Sequence, residues 1–131
     1  MDENIEKKIK RAKAVNYIVF GAFVALAVLV LIFAAVYAYQ HDFTTEKWIE
    51  NPSERVEIVD DLLEEYDLMG YGREELELLL GENDNDLGYF VRGDVSVYYL
   101  GPERGLLSID SEWLVIEFED GKVSGYEVKI D

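Results

Sequence analysis

The side chains best suited to chemistry in this chain are carboxylates. Glu82, Asp84 and Asp86 alternate along "ENDND", the way oxygen donors alternate at the start of a calcium loop. An EF-hand would need glycine where Leu87 stands and an acid where Gly93 stands, so the run reads as a solvated loop. Arg92-Gly93-Asp94 reads as a turn between strands. His41 is the only histidine, which leaves no partner for a multi-histidine metal site or a histidine relay. Glu64 and Glu65 offer two carboxylates, the raw material of glycoside hydrolysis. They fall on the exposed side of a helix, with no cleft-lining aromatic pattern around them. There is no cysteine, hence no disulfide, thiolate nucleophile or cysteine-based zinc site, and no lipidated N-terminal Cys. These residues predict a chain that is not an enzyme, with no catalytic residue, cofactor, metal or small-molecule substrate.

The elements that would position such residues are legible from periodicity. In "LMGYGREELELLLGEND", Gly70 and Gly72 break the chain before a helix from Arg73 to Leu80. Leu76, Leu79 and Leu80 form its apolar face, and Gly81 suits the left-handed residue that ends a helix. Upstream, Asn51-Pro52 is a helix start, with Asn as cap and Pro in the first turn. Val56, Val59, Leu62, Leu63 and Tyr66 then make one stripe along a helix from Ser53 to Tyr66. Beyond Asp86 the period becomes two. "VSVYYL" (Val95–Leu100) and "EWLVIEFE" (Glu112–Glu119) are strands, and "EDGK" is the Asp-Gly signal of a type I′ hairpin. The returning strand is Lys122–Ile130, and "GYFVRG" (88–93) is a candidate further strand. Leu114, Ile116 and Phe118 share one face with Tyr126, Val128 and Ile130. Trp113, Val115, Glu117, Val123 and Glu127 take the other, half-exposed face. The expected class is α+β, two helices on an antiparallel sheet in a two-layer domain.

Ahead of this domain lies a different kind of segment. No charge occurs from Ala14 to Gln40, and Tyr17–Tyr37 supplies 21 apolar or aromatic residues with tyrosines at both ends. About 20 such residues cross a hydrocarbon core, and aromatic belts mark its borders. Lys7, Lys8, Lys10, Arg11 and Lys13 precede the span, while only Lys47 follows closely. That asymmetry predicts a cytoplasmic N-terminus. A cleavable signal peptide, with Val36-Tyr37-Ala38 as cleavage site, would have a shorter apolar region of about 7–15 residues. The expected organisation is a basic cytoplasmic tail (1–13), a transmembrane helix (14–40), a linker (41–52) and an extracytoplasmic α+β domain (53–131). The linker's Phe43 and Trp48 would either rest at the membrane surface or cap the domain. Gly21 and Ala25, like Ala34 and Ala38, are spaced for close helix packing.

Charge divides at the same point. Residues 1–39 carry five basic and three acidic side chains, and residues 40–131 carry seven and 25, a net of −18 against −16 for the whole chain. So acidic a domain excludes nucleic acid as a partner and repels anionic lipid.

Three stretches together, "LMGYGREELELLLGEND", "YYLG" and "WLVIEFEDGKV", resemble the SmpA/OmlA family, which includes the small lipoprotein of the outer-membrane β-barrel assembly machinery. The fold of that family is shared by the β-lactamase inhibitor proteins. Gly70, Tyr71, Glu75, Leu76, Leu80 and Gly81 match the family's motif. Gly72 replaces its helix-capping Ser or Thr, and Asn83 replaces its Pro. The resemblance covers about residues 53–130 and implies two helices against an antiparallel sheet. It carries no catalytic residue over. The family's lipidated Cys is missing and a membrane helix stands in its place, which points to the cytoplasmic membrane and away from barrel assembly.

For function, Tyr89, Tyr98, Tyr99 and Trp113 lie on or near strands that two short helices cannot fully cover. Tyrosines on a sheet face within an acidic rim make a protein-binding surface, unless they pack on each other or on the linker's Trp48. The expected role is a non-enzymatic binding or scaffold module of the cell envelope, held to the lipid bilayer through residues 14–40. Its expected partner is another envelope protein. The alternatives are an acidic inhibitor or immunity protein neutralising a basic toxin or hydrolase, and an envelope hydrolase acting through acidic residues.

Overall fold

A computed structural model describes residues 2–131. The chain divides into two units, one ending at Tyr39 and the other Gln40–Asp131. The protein is α+β, with one long apolar helix near the N-terminus, several short helices and a three-stranded antiparallel sheet.

The long helix, α1, runs Glu3–His41 over 39 residues. At 1.5 Å per residue that is about 58 Å, longer than the apolar stretch needs. The basic tail is therefore helical too, with Glu3 and Lys7 paired one turn apart at 2.8 Å. Glu3 and Glu6 in the first turn suit the positive end of the helix dipole. None of the helix is buried, and the mean hydropathy of its most apolar window is 3.0. By length and composition, α1 is able to cross a membrane.

In the second unit the segment read as a linker is part of the fold. Thr44 caps α2 (Thr45–Glu50), its hydroxyl accepting from the Lys47 N–H at 3.2 Å. Phe43 and Trp48 are buried. The rings of Phe43 and Trp48 lie 5.9 Å apart, those of Phe43 and Tyr66 5.7 Å, and those of Trp48 and Tyr98 6.0 Å. Edge-to-face aromatic contacts of this kind add to the burial they accompany.

The single helix expected from Ser53 to Tyr66 is two pieces. A 3₁₀ turn spans Pro52–Glu57, Ile58 leaves helical geometry, and α3 spans Val59–Glu65. The tighter 3₁₀ winding eclipses residues three apart, so Arg55 and Ile58 turn inward together, both buried beside Val56 and Val59. The turn presses on the sheet at Gly101, where a Cβ would lie 2.3 Å from the Ser53 carbonyl oxygen. Gly101 also sits at an irregularity in strand pairing, with φ of +131°. α4, Arg73–Leu80, is as expected and buries Leu76 and Leu80. Gly72 offers no side-chain cap, and the Glu75 carboxylate reaches back to its N–H at 3.5 Å. Gly81 ends the helix at positive φ but with ψ near −168°, outside the left-handed helical region.

The strands are β1 (Val95–Pro102), β2 (Ser111–Glu119) and β3 (Lys122–Ile130), ordered β1-β2-β3. Asp120 and Gly121 both have positive φ, as a type I′ turn demands. The main core joins Trp48, Leu62, Leu76 and Leu80 from the helices to Tyr98, Leu100, Leu114, Ile116 and Phe118 from the sheet. Val123 belongs to this core and not to the opposite face. The pairing shifts between Glu117 and Phe118, so Val123 lies opposite Phe118. A one-residue slip of that kind moves a side chain to the other face. Ile130, at the end of β3, is exposed. Residues 88–93 form no strand.

Candidate functional site

The sheet face away from the main core is built by Val95, Val97 and Tyr99 on β1 and by Trp113 and Val115 on β2, with Phe90 packed on them. Trp113 and Val115 are buried, not half exposed as their alternation suggested. The reason is the segment 88–94, which folds back over them. Gly88 and Gly93 have positive φ, and so does Phe90 at +57°. A left-handed non-glycine residue costs roughly 1–2 kcal/mol, which the docking of the Phe90 ring offsets. The Lys129 ammonium stands 5.6 Å from that ring.

Three of the four aromatic residues expected to form a binding surface come together here. Tyr89 stacks on Trp113 with ring centroids 4.6 Å apart and planes 21° from parallel, and Tyr99 meets Trp113 edge-on at 5.1 Å. The Trp113 indole N–H donates to Asp131 Oδ2 at 3.0 Å, which sets the ring's orientation. Tyr89 and Val91 remain accessible, 48% and 38% exposed. A recess of about 710 Å³ opens beside them, with Val95 and Val115 at its base. Its charged lining is mixed: Arg92 and Lys129 against Glu117 and Asp131.

Tyr98 does not belong to this surface. It points into the main core with no exposure, and its hydroxyl donates to the Gly81 carbonyl at 2.9 Å. Burial raises its phenol above the ordinary range, and the nearby Glu77 carboxylate adds to that shift. Neighbouring strand residues point to opposite faces, so Tyr98 and Tyr99 could not both have lain on one.

"ENDND" has a structural task. The Asp84 N–H donates to the Val97 carbonyl at 2.7 Å, and the Tyr99 N–H donates to Asp84 Oδ2 at 2.9 Å. Asn85 Nδ2 donates to the Val95 carbonyl at 2.8 Å, while its Oδ1 accepts from the Val97 N–H at 2.7 Å. These two residues thus occupy the free edge of β1 as a further strand would, which blocks pairing with another chain. Arg55 completes the arrangement. It donates to the Tyr99 carbonyl at 3.0 Å, to Asp84 Oδ2 at 2.9 Å and to the Trp48 carbonyl at 2.7 Å. Burial lowers the Arg55 pKa from its usual range, and the Asp84 carboxylate opposes that shift. Sequence offered only a weak signal for Arg55, a lone cation beside the apolar stripe.

The remaining candidates are dispersed. Asp94 of Arg-Gly-Asp pairs with Arg73, whose guanidinium lies over the Phe118 ring at 4.1 Å. His41 lies 3.0 Å from Glu57. Glu64 and Glu65 are exposed on α3. Glu112, unremarked in sequence, is buried and gripped by Arg104, whose Nε and Nη2 reach Glu112 Oε2 at 3.0 and 2.8 Å. Burial alone would raise its pKa, but the hydrogen bonds and charge of Arg104 hold it below the usual carboxylate range. No family model matches this chain, and comparison with curated proteins and with solved structures likewise yields no match.

Proposed function

We propose that this chain is a non-enzymatic protein-binding module anchored in the cytoplasmic membrane. In this reading Tyr17–Tyr37 crosses the bilayer, the basic tail stays in the cytoplasm, and residues 40–131 face outward as a two-layer α+β domain of the SmpA/OmlA kind. The observation that carries the binding role is the pair formed by half-exposed Tyr89 and buried Trp113 beside an open recess. An aromatic anchor, an apolar floor and a mixed-charge rim are the anatomy of a contact surface for another protein. The partner it suits is an envelope protein offering an apolar side chain to the recess and charges of both signs around it. Against catalysis, the Asp84 carboxylate at the sheet edge is engaged by the Tyr99 N–H and by Arg55.

Photo-crosslinking tests the assignment. With a photoreactive residue at Tyr89 or Val91 in the full-length protein, cells that normally produce it should yield a discrete cross-linked envelope protein. The same probe at Glu64, on exposed α3, should not. Equal labelling from all three positions would overturn the reading.

A further inference from the structure

The loop between β1 and β2 carries three large aliphatic side chains within four residues, and none of the described residues covers them. Leu106, Leu107 and Ile109 are each at least 75% exposed. Scattered apolar residues are ordinary on a surface, whereas a contiguous group marks a contact with protein or lipid.

The loop is fastened at its base. The Glu103 N–H donates to the Asp110 carbonyl at 2.8 Å, and Ser108 Oγ donates to the Glu103 carbonyl at 2.7 Å. Arg104 holds buried Glu112 and also reaches Asp60 Oδ2 at 2.8 Å. An apolar tip held in this way loses little freedom on contact.

Its place in the domain identifies what it meets. Pro102, Gly105 and Ser108 share a recess with Glu57, and Glu57 is the residue that pairs with His41. His41 is the second residue of the unit that begins at Gln40. The loop therefore springs from the end of the domain at which the chain arrives. Resting on the reading of α1 as a membrane anchor, we propose that Leu106, Leu107 and Ile109 insert into the interfacial zone of the bilayer that α1 crosses. Gly105–Ile109 carries no charge, so the tip can enter lipid although the domain as a whole repels anionic head groups. Three aliphatic side chains bind a bilayer weakly on their own. A tether makes the contact intramolecular, with an effective concentration on the order of millimolar, so the weak contact is populated.

The absence of cysteine makes the test direct. The full-length Leu107→Cys variant is labelled with an environment-sensitive dye and reconstituted into phosphatidylcholine vesicles. Blue-shifted emission, quenched by lipids spin-labelled near the head group, is the expected result. The same dye on Asp120→Cys, at the β2–β3 turn, should report water. Anionic lipid should reduce the quenching at position 107. Water-like emission at 107 in vesicles that retain the chain after a carbonate wash would overturn the insertion and leave the anchor standing. A blue shift without lipid quenching would overturn it too, assigning the tip to a second copy if the shift grows with protein-to-lipid ratio and to the chain's own surface if it does not. Loss of the chain in the wash would overturn the anchor and, with it, this inference.

Discussion

The two faces of the sheet bury similar residues by different means. Toward the helices, Tyr98, Leu114 and Ile116 are sealed by side chains from α2, α3 and α4, and Tyr98 satisfies its hydroxyl on the Gly81 carbonyl. On the other face, Tyr99, Trp113 and Val115 are covered by a loop that adopts left-handed backbone at Gly88 and Phe90. Helices supply their own backbone hydrogen bonds, so the first face closes as a unit. A loop without that internal support opens at lower free energy. The helix-packed face is where this molecule resists change, and the loop-covered face is where it is free to engage another.

Breaking the closed face should cost most. Asp84→Ala leaves Arg55 buried with its ion-pair partner gone and the Tyr99 N–H without its acceptor. Removing one partner of a buried pair costs about 3–5 kcal/mol; the partial exposure of Asp84 lowers that and the orphaned Tyr99 N–H offsets the reduction, so the expected loss is about 4 kcal/mol. Urea unfolding of the vesicle-reconstituted chain, followed by tryptophan fluorescence, would measure it. On the other face, Trp113→Ala should cost about 3 kcal/mol, because the loop can settle into the space. A loss as large as that of Trp48→Ala would show that the two faces are equally rigid. Hydrogen exchange sharpens the same contrast: amides of residues 88–93 should exchange well before those of α4.

A pH titration probes the seam at Arg104 and Glu112. The folded pKa of Glu112 is depressed, so its contribution to stability is present above the ordinary carboxylate range, near pH 4.3. That contribution is lost as pH falls through the lower folded value. Glu112→Gln should flatten the acid limb of stability against pH. The smallest expected effect on folding is that of Tyr89→Ser. It loses one surface stacking contact of about 0.5–1.5 kcal/mol while abolishing the cross-link to a partner through Val91.

Much of the domain was legible because its signals are local. The Asp-Gly hairpin, the strand alternation and the leucine face of α4 each depend on residues within a few positions of one another. Three features were not. Phe43 and Trp48 lie in a stretch of mixed polarity, and their burial depends on Tyr66 and Tyr98, 18 or more positions later. Ser53–Tyr66 has a continuous helical stripe, yet Arg55 is drawn to Asp84 and Tyr99, 29 and 44 positions away. The helix tightens into a 3₁₀ turn to let it reach. The aromatic surface was partly visible: Tyr89, Tyr99 and Trp113 meet, while strand alternation sends Tyr98 to the core.

One apolar rod long enough to cross lipid, a strongly acidic remainder, and the hairpin and α4 within it can be read from the order of residues. Those follow from composition and short-range periodicity, which depend on no distant partner. That Asp84, Asn85 and Arg55 occupy the edge of β1, that a left-handed loop shelters Trp113, and that an exposed aliphatic tip stands on the β1–β2 loop emerges in the folded chain alone. Each of these requires backbone or side-chain groups far apart in the chain to satisfy one another, and no local pattern encodes that match.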